Sequence, residues 1–272
     1  MTAPVRSWLY VPATRPELLD KAMAGAADAV VLDLEDAVPA DRKDEARELA
    51  TAAVGRTWPK PLWIRVNAVQ LPWGKADLAA LAGTPVQGLR LPKCEDPLDV
   101  AFAAEQVGAP LHLLIETALG VERAFELARS DPRVLLLSLG EADLRADLRV
   151  RTGAALQWAR DRIVNAARAA GLASPVQSVW TDVADTAGLT ASTELARDHG
   201  FHGRSVVHPL QIAPVNEVFS PRPQEVEAAR RLVDSLRHAE DAGSAAWLDD
   251  RGRLIDPAVV AQAHWVLGLT EH

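Results

Sequence analysis

The chain has a single cysteine, Cys94, among its 272 residues, and it has no long apolar run. One thiol can form neither an internal disulfide nor a multi-thiolate zinc site. No stretch reaches the about 18 consecutive apolar residues that a membrane-spanning helix requires. The N-terminal residues MTAPVRSWLY contain no signal-peptide hydrophobic stretch, so we expect a cytoplasmic protein with no membrane association.

Basic residues do not outnumber acidic ones in this chain. The chain carries 29 Lys and Arg residues against 37 Asp and Glu residues, for a net charge of −8. Because nucleic-acid-binding proteins present a basic face, a nucleic-acid partner is not expected. The chain shows no P-loop, no H-x-x-x-H and no HExxH spacing. The apolar content of 49% and charged content of 24% are typical of a globular protein.

Short apolar runs alternate along the chain with longer segments of helical periodicity. Each run has four to eight residues, and the segments that follow show apolar residues at i, i+3 and i+4. Eight such runs occur in order: SWLYVP, AVVLDLED, PLWIRVN, GLRLPK, LHLLIET, VLLLSLG, PVQSVW and GRSVVHP. Eight βα units predict an α/β fold, a closed parallel (β/α)8 TIM barrel.

A doubly wound open sheet is the alternative to the barrel. Its dinucleotide-binding version is disfavoured because no G-x-G-x-x-G turn follows the first strand. We predict a barrel catalytic domain over residues 1–240 and a C-terminal extension over residues 241–272. The extension ends in the short helix DPAVVAQAHWVLGL, which lies beyond the barrel and is available to cover a site.

Polar residues accumulate where the predicted strands end. In a (β/α)8 barrel the active site is built at the C-terminal ends of the strands. Period-two alternation predicts that Val31, Asp33 and Glu35 share one strand face. The polar residues at these ends are Asp33, Glu35, Asp36, Arg65, Asn67, Lys93, Glu116, Thr117, Glu141, Asp143 and His208.

Each of these residues alone has an ordinary structural interpretation. A strand-end acid often caps the following helix, Arg65 could form a structural ion pair, and Lys93 could pair with Asp33 or Glu35. His208 before Pro209 fits a structural histidine better than a metal ligand. Charged residues at consecutive strand ends are too many for helix caps alone, and together they favour a functional site.

Glu116 and Asp143 follow adjacent predicted strands and have no Cys or His nearby in sequence. Carboxylates of this kind suit Mg²⁺, which takes oxygen ligands and keeps several waters. Zn²⁺ would favour nitrogen or sulfur. Glu35 and Asp36 could hold metal-bound waters, and Arg65 could clamp a substrate carboxylate through a bidentate fork. The residue types predict a metal-assisted enzyme that acts on a small carboxylate.

Eight short motifs make the chain resemble the citrate lyase β-subunit-like proteins of the HpcH/HpaI aldolase and citrate lyase family. In order they are SWLYVPATRPELLDKA, VVLDLEDAV, WIRVNA, LRLPKCED, LLIETALGV, LSLGEADL, GFHGRSVVHPLQI and LIDPAVVAQA. Each motif is only moderately specific, but eight motifs in the same order as in the family are strong evidence, and together they cover nearly the whole chain. The resemblance implies a (β/α)8 barrel with Mg²⁺-dependent carbon–carbon bond cleavage or formation.

The resemblance also implies roles for individual residues. Glu116 of IET and Asp143 of GEADL match the metal ligands, with Glu116 also placed at the substrate. Arg65 of RVN matches the arginine that binds the substrate carboxylate. Glu35 and Asp36 of LEDAV match the acids near the metal waters.

Asp256 of LIDPAVVAQA matches a catalytic aspartate in the C-terminal segment. In relatives this segment reaches into a neighbouring subunit's site, so the resemblance implies a homo-oligomer, a trimer or hexamer. The alternative is an ordinary helix N-cap before Pro257. Arg204 departs from the lysine usual at its position, and the residues that contact CoA stay unassigned.

The expected function is that of a carbon–carbon lyase acting on a 3-hydroxyacyl-CoA thioester such as citryl-CoA or malyl-CoA. The products would be acetyl-CoA and a 2-oxo acid. Three alternatives stay open: a pyruvate-type class II aldolase acting on free hydroxy-oxo acids, the citryl-ACP lyase subunit of a citrate lyase complex, and a non-catalytic binding protein.

Overall fold

A computed structural model of the chain describes residues 4–241, 246–248 and 252–270. The chain falls into two compact units. One unit spans Val5–Glu217, and the other contains Pro4 and the residues from Val218 onward. All residues proposed for the site except Asp256 belong to the first unit.

The first unit is built on a curled sheet of seven strands in the order β6-β5-β4-β3-β2-β1-β7. Every neighbouring pair is parallel, which confirms the α/β prediction. Strand residues are almost all buried, as expected for a parallel sheet covered by helices. The strands are β1 Ser7–Pro12, β2 Ala29–Asp33, β3 Leu62–Arg65, β4 Leu89–Leu91, β5 Leu111–Ile115, β6 Val134–Leu139 and β7 Arg204–Val206.

The predicted strand PVQSVW forms only two single-residue bridges. Val176 pairs with Ser138 of β6, and Gln177 pairs with Arg204 of β7, both in parallel orientation. Residues 176–177 thus link the two edges of the sheet without forming a full strand. Periodicity alone could not show that this run extends for only two residues.

In the described chain, ten α-helices lie between the strands or directly after β7. Asp96 and Thr117 cap α4 and α5 by accepting hydrogen bonds from the backbone amides of Leu98 and Gly120. Helix α10 was not predicted from the sequence. The helices are α1 Pro16–Ala24, α2 Lys43–Val54, α3 Pro72–Leu81, α4 Pro97–Val107, α5 Ala118–Glu122, α6 Ala124–Ala128, α7 Glu141–Asp147, α8 Gln157–Ala169, α9 Thr186–Asp198 and α10 Ile212–Phe219.

An aromatic cluster fills the interior of the sheet near the start of the strands. The rings of Trp8, Trp63 and His112 meet edge to face, with centroids 5.2 to 6.1 Å apart. Strand alternation places Tyr10 on the same interior face as Trp8, one step nearer the strand's C-terminal end. The packed aromatic cluster therefore forms a base for the polar residues that follow it.

The C-terminal unit contains α11 Pro223–Asp241, β8 Trp247–Leu248, β9 Leu254–Ile255 and α12 Pro257–Gly268. β8 and β9 pair antiparallel. Residues 242–245, 249–251 and 271–272 of the predicted extension lie outside the described residues. The division into domains 1–240 and 241–272 stays a prediction. None of the helices in the described ranges has the length and apolar character needed to cross a bilayer.

Candidate active site

A cavity of about 410 Å³ opens at the C-terminal ends of the strands in the first unit. It brings together residues from distant parts of the sequence, as expected for the mouth of a parallel barrel-like sheet. Of the predicted site residues it contains Asp36, Arg65, Glu116 and Asp143, and it also contains Asp33, Tyr10, Ser178 and Ser205.

Asp33, the last residue of β2, holds Arg65, the last residue of β3. Its two carboxylate oxygens accept hydrogen bonds from Nε and Nη2 of Arg65, each at 2.7 Å. Both residues are buried, with exposed fractions of 1% and 8%. A bidentate pair between two adjacent strand ends fixes the plane of the guanidinium as well as its position.

The third guanidinium nitrogen of Arg65, Nη1, faces the loop after β2. It lies 2.8 Å from Oε2 of Glu35 and 3.1 Å from Oδ2 of Asp36. Arg65 is therefore neutralised by three acids of the chain itself. A substrate carboxylate would have to share or displace the contacts at Nη1.

The prediction that Glu35 continues the strand face of Asp33 is wrong. β2 ends at Asp33, and the chain then bends. The backbone amides of Glu35 and Ala37 donate to the Asp33 carboxylate at 2.9 and 3.1 Å. These bonds turn the loop inward, so Glu35 reaches Arg65 from the loop rather than from the strand.

Lys93 lies between two acids of the site. Its Nζ is 2.6 Å from Oε1 of Glu35 and 3.8 Å from Oε1 of Glu116. Burial acts to lower the pKa of Lys93, but the hydrogen bond to Glu35 and the charge of Glu116 raise it above its ordinary value. Its backbone is left-handed, with φ of 51°, which is uncommon outside glycine and marks a constrained position.

Glu116, which follows β5, is the most buried of the proposed metal ligands, with 1% of its surface exposed. Its Oε1 accepts a hydrogen bond of 2.8 Å from the Lys93 backbone amide. Burial, with the charges of Glu35 and Asp143 adding, raises the pKa of Glu116 to about 8. A carboxylate in this state favours either a proton or a nearby cation.

Gly140 makes the space that the Glu116 side chain occupies. A β-carbon at position 140 would lie 2.5 Å from both Cβ and Oε2 of Glu116. Any side chain there would displace the carboxylate. Asp143 follows three residues later, in the first turn of α7, and is exposed to the cavity.

The charge of the site fits a divalent cation. Five carboxylates (Asp33, Glu35, Asp36, Glu116 and Asp143) face two ion-paired cations, Arg65 and Lys93, so three carboxylates are in excess, and the raised pKa of Glu116 reflects both its burial and the neighbouring acids. Among the residues that the structure describes, no group of three or more His, Cys, Asp or Glu forms a complete metal cage. An ion held by Glu116 and Asp143 would take its remaining ligands from water or substrate, as Mg²⁺ commonly does.

Asp256 caps α12 in the C-terminal unit. Its Oδ1 accepts hydrogen bonds from the backbone amides of Ala258 and Val259, both at 3.0 Å. The capping interpretation is thus correct for the single chain. A role for Asp256 in a neighbouring subunit's site stays a prediction.

Tyr10, Ser178 and Ser205 line the cavity and were missed by the sequence reasoning. Tyr10 lies two residues before Pro12 on the interior face of β1, and Ser205 lies in the middle of β7. Extending the period-two alternation back from Pro12 would have found Tyr10, whereas the same step back from His208 reaches Val206 and misses Ser205.

Comparison with known proteins identifies the family of the chain. Residues 6–209 match the family described as HpcH/HpaI aldolase/citrate lyase. The chain belongs to this family. The match covers the whole curled sheet and every predicted site residue of the first unit.

Relatives in the HpcH/HpaI family carry several names. A (3S)-malyl-CoA thioesterase of Cereibacter sphaeroides is 37% identical over 98% of this chain and 95% of its own length. The citrate lyase subunit beta of Leuconostoc mesenteroides subsp. cremoris is 32% identical over 97% of this chain and 92% of its own.

A solved structure of the family covers nearly the same length. Protein CitE of Mycobacterium tuberculosis, in complex with magnesium, acetoacetate and coenzyme A, superposes with a TM-score of 0.84. It is 32% identical and covers 99% of each chain. The fold and the family are therefore shared over essentially the full sequence.

Proposed function

We propose that this protein is a Mg²⁺-dependent carbon–carbon lyase acting on a 3-hydroxyacyl-CoA thioester such as citryl-CoA or malyl-CoA. The single observation that carries the proposal is the meeting of Glu116, Asp143 and Arg65 in one acidic cavity at the strand ends. Relatives named citrate lyase subunit beta and L-malyl-CoA/beta-methylmalyl-CoA lyase support it, both 32% identical to the chain.

Glu116 and Asp143 would hold the Mg²⁺ ion. When bound, the ion supplies Lewis-acid stabilisation of negative charge that develops on a substrate oxygen. Glu35 and Asp36 lie beside Arg65, where they can accept hydrogen bonds from water around the ion. Lys93 donates to Glu35 at 2.6 Å, which opposes the rise that burial causes in the pKa of Glu35.

Arg65 would bind the substrate carboxylate through Nη1, where the carboxylate would share or displace the contacts to Glu35 and Asp36, while Asp33 holds Nε and Nη2. In the cleavage direction the substrate hydroxyl would give its proton to a carboxylate of the cavity, for which Asp36 is placed, and the bond to the thioester-bearing carbon breaks. This releases a 2-oxo acid and leaves a thioester enolate. A protonated acid then donates to the enolate carbon and produces acetyl-CoA.

Asp256 would be that acid, supplied by a neighbouring subunit. We propose accordingly that the active form is a homo-oligomer, a trimer or hexamer, in the cytoplasm, with residues 241–272 as the covering extension. The bridges at Val176 and Gln177 support a closed (β/α)8 barrel as the scaffold, because they connect the two outer strands of the sheet. With a CoA thioester as substrate, a catalytic extension is needed; a pyruvate-type aldolase acting on free acids would not need it.

Thioester hydrolysis is a second candidate function. It is favoured by the relative of 37% identity named (3S)-malyl-CoA thioesterase. The two reactions separate by their products. Lyase cleavage of malyl-CoA yields acetyl-CoA and glyoxylate, whereas hydrolysis yields malate and free CoA thiol.

The test is a product assay on malyl-CoA and citryl-CoA, with Mg²⁺ and with excess EDTA. We expect Mg²⁺-dependent release of a 2-oxo acid in equal amount to acetyl-CoA. Release of free thiol without a 2-oxo acid would establish the hydrolase instead. Activity that is unchanged by EDTA and by Asp143→Asn would refute the metal assignment, and cleavage of free hydroxy-oxo acids alone would favour the aldolase.

A further inference from the structure

Arg90 lies in the interior of the sheet and is completely buried. Its described hydrogen-bond partners are all neutral. Nη1 donates to the Tyr10 hydroxyl at 2.8 Å and to the Ser205 hydroxyl at 3.1 Å. Nη2 lies 3.2 Å from Nε2 of His112 and 3.4 Å from Oγ of Ser138. Within the described ranges, no carboxylate forms an ion pair with it.

This arrangement leaves a buried positive charge with no ion-pair partner among the described residues, although Glu116 attracts it without direct contact. Arginine does not lose its proton in proteins, so Arg90 stays charged even though burial lowers its pKa. His112 does not oppose it, because burial and the charge of Arg90 hold the pKa of His112 well below its usual range. Burying a charge without an ion-pair partner costs free energy, and proteins often keep such a group where it contributes to a binding site.

Two of the four groups that accept from Arg90 also line the cavity: Tyr10 and Ser205. Each hydroxyl uses a lone pair to accept from Nη1, which leaves its own hydrogen free to donate elsewhere. Among the residues described, neither hydroxyl donates to a protein acceptor. The cavity is thus provided with two hydroxyl donors that a buried cation polarises.

Arg65 and Arg90 differ in their ion pairs. Asp33, Glu35 and Asp36 form ion pairs with Arg65, whereas no described carboxylate forms one with Arg90. Both guanidiniums lie against the ring of Tyr10, 4.9 and 5.3 Å from its centroid. Arg90 also lies 5.7 Å from the centroid of Trp8, so its charge is on the side of the aromatic cluster, and Glu116 acts on it without forming an ion pair.

We propose that the hydroxyls of Tyr10 and Ser205, backed by Arg90, form a carboxylate subsite that determines specificity. The substrate's oxo-acid portion would then carry a second carboxylate, besides the one that Arg65 binds. This inference rests on the proposed function and adds the substrate class to it: thioesters that yield a 2-oxo dicarboxylic acid rather than a monocarboxylic one.

The experiment compares the binding of oxaloacetate and pyruvate by calorimetry at saturating Mg²⁺. The wild-type protein should bind oxaloacetate at least about tenfold more tightly than pyruvate, since hydrogen bonds to a charged group are stronger than hydrogen bonds between neutral groups. Tyr10→Phe and Ser205→Ala should each weaken oxaloacetate binding about tenfold and leave pyruvate binding unchanged. Ser130→Ala is the matched control, because its hydroxyl only donates to the Leu127 carbonyl in α6.

The two possible failures are distinguishable. If the wild type binds both acids with equal affinity, or if Tyr10→Phe and Ser205→Ala bind oxaloacetate like the wild type, the subsite is refuted and the proposed function stands. If the wild type binds neither acid with Mg²⁺ present, both fail. Tyr10→Phe keeps the ring that lies against both guanidiniums, so the test does not depend on a folded Arg90 variant.

Discussion

Asp33 and Arg65 form a buried bidentate pair, with both N–O distances at 2.7 Å. The pair joins the ends of β2 and β3, and the Asp33 carboxylate also accepts from two backbone amides of the next loop. One carboxylate therefore positions both the proposed substrate-binding arginine and the loop that carries Glu35 and Asp36. Asp33 is a positioning residue, and removing its charge should affect stability and substrate binding together.

Asp33→Asn should lower the free energy of unfolding by about 3 kcal/mol, because it leaves a buried guanidinium poorly paired. It should also lower kcat/KM about 100-fold, since the arginine loses its fixed orientation. Chemical denaturation and steady-state kinetics check both effects. Asp36→Asn is the stability control: its side chain is 57% exposed, so the loss should stay below about 1 kcal/mol. Equal losses in the two variants would contradict the argument.

Glu116→Gln should abolish Mg²⁺ binding and, in EDTA, raise the melting temperature. Burial raises the pKa of Glu116 to about 8, above that of the unfolded chain, so stability is lost as the pH rises towards 8. Glutamine cannot ionise and so removes this loss of stability. We therefore expect the melting temperature of the variant at pH 9 to be roughly 2–4 °C higher than that of the wild type. Calorimetry with Mg²⁺ and thermal melts measure the two effects. Retained saturable Mg²⁺ binding would remove Glu116 from the ligand set.

Gly140→Ala should weaken Mg²⁺ binding at least about tenfold without unfolding the protein. The added methyl would lie 2.5 Å from Oε2 of Glu116 and must push the carboxylate aside. Gly153→Ala is the matched control, because the nearest atom to its new methyl is Nη2 of Arg160 at 3.7 Å. Mg²⁺ titrations of the two variants should differ; identical affinities would show that the Glu116 position does not matter.

Two substitutions of Asp256 separate its capping role from its proposed chemical role. Asparagine is as good an N-cap as aspartate, so Asp256→Asn should leave the melting temperature unchanged but reduce kcat by at least about 100-fold. Asp256→Ala should lose activity and about 1 kcal/mol of stability. Full activity in Asp256→Asn, measured as acetyl-CoA release, would restrict Asp256 to the helix cap seen here.

His202 should make the protein sensitive to acid. Burial, with the charge of Arg6 adding, lowers the pKa of His202 to about 4. Between pH 6.5 and 4 the unfolded chain binds a proton that the folded chain does not, so stability falls as the pH falls, by up to about 3 kcal/mol. Denaturation at pH 7 and at pH 4.5 should show that His202→Gln loses less stability between these two pH values than the wild type does. His264→Gln, at an exposed position of α12, should lose as much as the wild type.

The strand and helix pattern could be predicted from local sequence because burial repeats with a fixed period. Most of the runs that became β1 to β7 are apolar on both faces, and the following segments bury one stripe of a helix. The run PVQSVW carries the same signal but forms only two bridges, at Val176 and Gln177. The extent of pairing depends on the neighbouring strands, and no local pattern records it.

The sequence predicted that Asp36, Arg65, Glu116 and Asp143 lie at one end of the sheet, and the cavity contains all four, but the contacts among the site residues could not be predicted. Glu116 and Asp143 follow adjacent strands, so their meeting was expected from the parallel topology alone. The neutralisation of Arg65 by its own acids was not expected, because it depends on the bend after Asp33. Arg90 sits within a short apolar strand, LRL, and nothing local shows that its charge has no partner.

The sequence by itself determined the parallel α/β class, the family and the strand ends at which acids gather. These properties follow from periodicity and residue order, which are local. Tertiary structure alone decided which charges are paired: Asp33 with Arg65, Lys93 with Glu35, and neutral hydroxyls with Arg90. Charge pairing depends on the curl of the sheet and on the turn of each loop. A hydrogen bond or ion pair forms only when two groups lie about 3 Å apart, and the order of residues does not specify such distances.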